Sequence, residues 1–204
     1  MTKKKAQTDS STEEKIKAAA RKVFTKKGFS AARTRDIAEE AGINLALLNY
    51  YFRSKEKLFD IVMMENLQLF LTGIGVALQD EKSSLNEKII LIVDSYISML
   101  KANPDLPVFV LSEIRANPEK LIGNMNIKSI LIESVFFKQL TQATKGKIHP
   151  LHLLMNLLGM TVFPFVARPL IQNAGNISQP DYESMMEDRK KMIPIWFDSL
   201  IKTL

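Results

Sequence analysis

A glycine set between two short helical patterns constrains this chain more than any other feature of its sequence. Residues 34–52 place Ile37, Ala38 and Ala41 at helical spacing before Gly42, and Ile43, Leu48 and Phe52 after it. Thr34 stands where it can cap a first helix, Arg35 to Ala41, and Asn44 where it can cap a second, Leu45 to about Tyr51. Short oxygen-bearing side chains there satisfy the free N–H groups of a helix start. Gly42 tolerates the left-handed backbone that ends a helix. Small residues before the turn let the two helices cross steeply at short distance, as a helix-turn-helix requires. In that motif the second helix faces outward, with its N-terminal half able to enter a major groove. An ordinary helical hairpin shares part of the pattern, and the turn, the two caps and the local basic charge together favour the DNA-binding motif.

Charge favours DNA. Residues 1–57 carry 14 Lys/Arg and 7 Asp/Glu, a balance of +7, whereas residues 58–204 carry 14 and 15, a balance of −1. A basic surplus confined to the first quarter of the chain implies a polyanionic partner for that part alone. There is no cysteine, which excludes disulfides, thiolate metal sites and a thiol nucleophile. His149 and His152 flank Pro150 with no carboxylate nearby in sequence, and read as polar residues at a helix start rather than metal ligands. No phosphate loop, nucleophile elbow or dinucleotide fingerprint occurs. The expectation is a protein that is not an enzyme and needs no cofactor. Leu151–Ala167, the most apolar stretch, is interrupted and too short to span a bilayer, and no apolar segment follows the basic N-terminus as in a secretory signal. A cytoplasmic protein without a membrane partner is expected.

The stretch from Glu14 to Leu58 resembles the TetR family of bacterial repressors. The matching residues are Phe24 and Gly28-Phe29, then Thr34, Ile37, Ala38, Ala41, Gly42 and Ile43, then Leu48, Phe52, Lys55 and Leu58. The resemblance implies an all-α fold of about nine helices. Residues 1–57 would form a three-helix DNA-binding domain, and residues 58–204 a helical domain for effector binding and dimerisation. It also implies a sequence-specific transcriptional regulator, a repressor released from a near-palindromic operator by a small-molecule effector. The homodimer would form through the last two long helices, which are rich in apolar residues. The alternative is an adaptor built on a helix-turn-helix that does not bind specific DNA.

Candidate DNA contacts follow. Thr34 and Arg35 open the first helix of the motif, where the resemblance implies phosphate or base contacts. Asn44, Leu45 and Ala46 begin the recognition helix. The two apolar residues suit thymine methyl groups, and Asn49 suits the adenine edge. The family usually has an aromatic residue at the position of Asn49, so this departure bears on specificity. The resemblance puts Tyr50 on the phosphate backbone and Tyr51 at the groove edge, and makes Lys55 a phosphate contact. An effector pocket is expected from Phe70, Tyr96, Phe109, Glu113, Phe136, Phe137, Met160 and Phe163, although such residues at helical spacing also serve simply as core.

Elsewhere the signals are caps and breaks. Ser11 with Glu14 predicts a helix start after a polar tail, and Gly28 its stop. Ser54 caps a helix running to about Asp80, and Leu85–Lys101 forms the next. Asn103-Pro104 and Asn117-Pro118 predict helices near 104–115 and 118–144. An apolar helix at 149–172 should kink at Pro164. A loop at 173–180 and a last helix, Tyr182–Leu204, complete the chain. No sheet is expected.

Overall fold

The computed structural model describes residues 2–116, 118–119 and 127–204, with side chains from Ser11 onward. Among these residues there is no strand. The helices are α1 (Thr2–Ala31), α2 (Thr34–Glu40), α3 (Leu45–Tyr51), α4 (Lys55–Gln79), α5 (Leu85–Ala102), α6 (Leu106–Ala116), α7 (Val135–Ala143), α8 (Leu151–Val166), α9 (Arg168–Gly175) and α10 (Gln179–Lys202), with a π-helical turn at Lys128–Ile132. The chain divides into two compact units. One comprises Met1–Leu67 with Asn103–Phe109, the other Gln68–Ala102 with Val110–Leu204.

The first unit holds α1, α2, α3 and the first half of α4. Ile16, Ala20, Val23 and Phe24 of α1, Ile37, Ala38 and Ala41 before the turn, and Leu48 and Phe52 after it form its core, with Leu58, Phe59 and Val62 of α4. Helix α1 runs back to Thr2 instead of starting at Ser11. The Lys, Ala and Gln residues of the tail are good helix formers with no breaker among them. Gly28 (φ 71°, ψ 166°) ends its regular course, as the stop signal predicts.

The second unit is organised around α5, which packs on α10 and α8. A full capping box starts α5: the Ser84 N–H donates to Glu87 (2.8 Å) and the Glu87 N–H donates to Ser84 Oγ (3.3 Å). Ile89, Ile92, Val93, Ile97 and Leu100 of α5 are buried, as are Leu153, Leu154 and Leu157 of α8 and Tyr182, Met186, Ile193 and Phe197 of α10.

Several boundaries differ from the sequence pattern. The single helix expected over 118–144 is broken at Ser134, whose hydroxyl donates to the Leu131 carbonyl and accepts from the Phe137 N–H, capping α7. The Asn117 cap lies outside the described residues. The helix expected over 149–172 bends by 64°, but at Ala167 between α8 and α9 and not at Pro164. Pro169 at the start of α9 has no N–H to continue the ladder. Pro164 is accommodated because the Arg189 guanidinium donates to the Met160 carbonyl (2.6 Å), the acceptor that a proline at 164 leaves unpaired. The expected loop at 173–180 shrinks, since α9 reaches Gly175 and Ser178 caps α10.

Among the described residues helix α4 is long and apolar enough to cross a membrane, and α8 passes the same test only if taken together with α9 across their 64° bend. The α4 residues Leu58, Val62, Leu67, Leu71, Ile74 and Leu78 recur at helical spacing and are buried in the protein, which accounts for them as core.

Candidate nucleic-acid interface

The turn between α2 and α3 is built by backbone hydrogen bonds that only one residue type accommodates well. The Gly42 N–H donates to Glu39 O (3.0 Å) and the Ile43 N–H to Ala38 O (3.0 Å), a Schellman ending with Gly42 at φ +64°. Asn44 then caps α3, its Oδ1 accepting from the Leu47 N–H at 2.8 Å. Ser54 caps α4 by accepting from the Lys57 N–H at 3.1 Å. The start of α2 differs from expectation. Thr34 is its first helical residue and Arg33 its cap, because the Asp36 carboxylate accepts from the Arg33 N–H at 3.1 Å. Lys27, at 2.8 Å, and that N–H hold the Asp36 carboxyl below the usual carboxylate range.

Helix α3 turns Leu48 inward, and Leu45, Leu47 and Tyr51 are half-buried. Ala46, Asn49 and Tyr50 face out, with Tyr50 78% exposed. Tyr50 and Tyr51 meet edge to face with centroids 5.4 Å apart. Arg35 near the start of α2, Arg53 just after α3 and Lys57 in the first turn of α4 are exposed and make no salt bridge among the described residues. Four other cations of this unit are paired: Lys17 and Arg21 with Glu65, Lys22 with Glu40, and Lys27 with Asp36. Lys15, Lys26 and Arg33 are likewise exposed without a salt bridge among the described residues, so unpaired positive charge lies on α1 as well as at the ends of α2 and α3.

Lys55 sits differently from the solvent-facing cation expected of a phosphate contact. Its ammonium donates to the carbonyls of Phe29 (3.0 Å) and Ala32 (3.2 Å) and lies 4.2 Å from the Phe29 ring centroid. With two of three N–H donors occupied, it fastens the end of α1 to the start of α4. Asp105 acts on the same corner, its Oδ2 accepting from the Phe29 N–H at 2.6 Å. The rings of Phe24, Phe29 and Phe59 pack together, and Phe109 meets Phe59 edge to face at 5.9 Å. The sequence carries no sign of the Phe29–Asp105 tie, since 76 residues separate the pair.

The residues expected to line an effector pocket are dispersed. Phe70 and Tyr96 meet edge to face at 4.7 Å, and burial pushes the Tyr96 phenol up to about 12. Phe136 is buried in α7, and Phe137 and Glu113 are half-buried. Phe109 belongs to the N-terminal unit. Phe163 is 64% exposed on α8. Met160 lines an open recess of about 400 Å³ with Met155, Asn156, Gly159, Trp196 and Leu200, on the α8–α10 surface.

Two helices joined through a Schellman turn, the second turned outward beside unpaired cations, define a helix-turn-helix DNA-binding regulator. Residues 16–62 match the family model for bacterial regulatory proteins of the tetR family. Along 95% of both chains the protein is 24% identical to the probable HTH-type transcriptional regulator YttP of Bacillus subtilis. It is 35% identical over 96 residues to the HTH-type transcriptional repressor NicS of Pseudomonas putida, covering 46% of this chain and 45% of that one. The fold is also that of the regulator FadR from Bacillus subtilis, solved with stearoyl-CoA, at a TM-score of 0.55 and 18% identity, covering 88% of this chain and 96% of the other. Residues 16–62 thus carry the N-terminal domain of the tetR family of bacterial regulatory proteins, and the relatives matched along the chain are transcriptional regulators.

Proposed function

We propose that this regulator is a repressor, not an enzyme, that works in the cytoplasm and leaves its operator when a small molecule binds. Residues 1–57 serve DNA and residues 58–204 serve effector binding and dimerisation. The observation that carries the DNA reading is the outward face of α3, bordered by the unpaired cations Arg35, Arg53 and Lys57. Thr34, Arg35, Asn44, Leu45, Ala46, Asn49, Tyr50 and Tyr51 form the contact surface. Lys55 has one N–H left for a phosphate while it braces the domain.

Two protomers associate through α8 and α10, where Met155, Phe163 and Trp196 are exposed beside the open recess. A monomer leaves that apolar surface in water, whereas a second copy covers it. The two recognition helices then address successive major grooves about 34 Å apart, on a near-palindrome.

The effector occupies the C-terminal unit, with Phe70, Tyr96, Glu113, Phe136 and Phe137 as the residues to probe first. Stearoyl-CoA, which FadR binds, is a sensible opening compound. Helices α4 and α6 each begin in the N-terminal unit and end in the other, so a shift in either element reaches the DNA-binding corner through the chain itself. The Asp105–Phe29 hydrogen bond and the Phe109–Phe59 contact are the points of attachment. The effector weakens DNA binding by its preference for the conformation with the wrong helix spacing.

The test is selection of duplexes from a random pool with the full-length protein, followed by titration of the winner at several salt concentrations. The expected result is a palindromic site bound by two protomers, with affinity falling as salt rises because phosphate contacts release counterions. Failure to enrich any sequence would favour the adaptor reading.

A further inference from the structure

Helix α3 contains no charged residue, and we propose that it is consequently a reader of A·T pairs, with Asn49 on the adenine edge and Ala46 against a thymine methyl. This rests on the DNA-binding reading above and narrows it to a base composition.

The geometry of α3 selects the readers. Leu48 is buried and flanked by half-buried Leu47 and Tyr51. At 3.6 residues per turn, the exposed arc away from Leu48 is made by Ala46, Asn49 and Tyr50, while Leu45 is half-buried nearer Leu48. Ala46 lies in the middle of that arc, and its small side chain lets the helix approach the floor of the groove. Asn49 and Tyr50 stand on either side of it.

Chemistry then assigns the bases. Guanine offers two acceptors, N7 and O6, which call for the paired donors of an arginine or lysine. Helix α3 has neither. Adenine offers an acceptor at N7 and a donor at N6, and a carboxamide supplies the matching donor and acceptor together. Asn49 is the one carboxamide in α3. It is exposed, and its amide makes no hydrogen bond among the described residues. The neighbouring Asn44 is committed, since its Oδ1 holds the Leu47 N–H. The motif thus divides its two asparagines, one to build the helix and one kept for a partner. Tyr50 and Tyr51 each offer a single hydroxyl, which cannot make a two-point contact. The guanidinium of Arg35 belongs to α2, so a guanine contact falls at the border of the A·T core and not within it.

The experiment uses the full-length protein and its selected duplex. The half-sites are expected to contain a run of A·T pairs. Replacing the adenines of that run with 7-deazaadenine removes N7 alone and should weaken wild-type binding by roughly 5- to 150-fold. Asn49→Ala alters an exposed residue with no hydrogen bond from its side chain among the described residues, so its thermal midpoint should match wild type. The variant should bind the adenine and 7-deazaadenine duplexes equally. Replacing thymine with uracil, which removes the methyl group, should still weaken it. Equal wild-type affinity for the adenine and 7-deazaadenine duplexes, or half-sites built only on G·C pairs, would overturn this assignment while leaving specific DNA binding intact. Failure of the wild type to select any sequence would overturn the DNA reading itself and this assignment with it.

Discussion

The two compact units treat their large apolar side chains in opposite ways. In the N-terminal unit Phe24, Phe52 and Phe59 are buried, and Phe29 is held between a lysine, an aspartate and its neighbouring rings. Its exposed functional groups are an amide, a phenol and unpaired cations. In the C-terminal unit the exposed groups include Met155, Phe163 and Trp196, while Phe136 and Phe197 are buried. A surface that reads DNA must keep polar groups available and rigidly placed. A surface that meets its own copy gains by exposing apolar area that association removes from water.

Breaking the N-terminal core should have the largest effect. Phe52→Ala empties a buried position at the end of α3 and should cost about 3–5 kcal/mol. Specific DNA binding should disappear while sedimentation still reports a dimer, and loss of both together would mean the two units do not behave separately. Trp196→Ala should do the reverse. It removes an exposed aromatic anchor, and association should weaken by about 2 kcal/mol or more. The α-helical circular dichroism signal should be retained, and an unchanged dimer constant would remove α10 from the interface.

Asp105→Ala sharpens the comparison at the place where a late segment of the chain joins the early unit. Losing a partly buried charge-assisted hydrogen bond should cost about 1.5 kcal/mol. If the segment relays the effector, the ratio of DNA affinities with and without that effector should shrink as well. A stability loss with an unchanged ratio would leave Asp105 a purely structural brace.

The smallest effect concerns pH. Burial raises the Tyr96 phenol from an ordinary 10.0 to about 12, so the folded state holds that proton more tightly than the unfolded chain. The associated stability is complete below pH 10 and is lost as pH rises through about 12. Denaturation midpoints measured at pH 9 and 11.5 should therefore converge for Tyr96→Phe relative to wild type. An identical loss in both proteins would place the alkaline sensitivity elsewhere.

What the sequence made legible was what is decided within a few residues. The caps Asn44 and Ser54, the stops at Gly28 and Gly42, and the inward positions 37, 38, 41, 48 and 52 depend on near neighbours and stand as expected, while Ile43, also expected inward, is half-buried. The cap of α2 moved by one residue because the Asp36 carboxylate binds the Arg33 N–H, leaving Thr34 inside the helix. Long-range partners were not legible. Nothing in the order of residues shows that Lys55 would be drawn to the carbonyls of Phe29 and Ala32, or that Arg189 would satisfy the carbonyl freed by Pro164 and let α8 run on to Val166. The departure from an aromatic residue at Asn49 was visible in sequence, but its open arc and unoccupied amide required the fold.

The measurement that bears most directly on the account is fluorescence anisotropy of the selected duplex, with wild type and Arg35→Ala compared against a scrambled duplex at low and moderate salt. The account predicts tight, salt-sensitive wild-type binding that survives scrambled competitor. Arg35→Ala should lose affinity for the selected site, with its dimer and thermal midpoint intact. Equal and weak wild-type binding to both duplexes, with no change on removing Arg35, would contradict it.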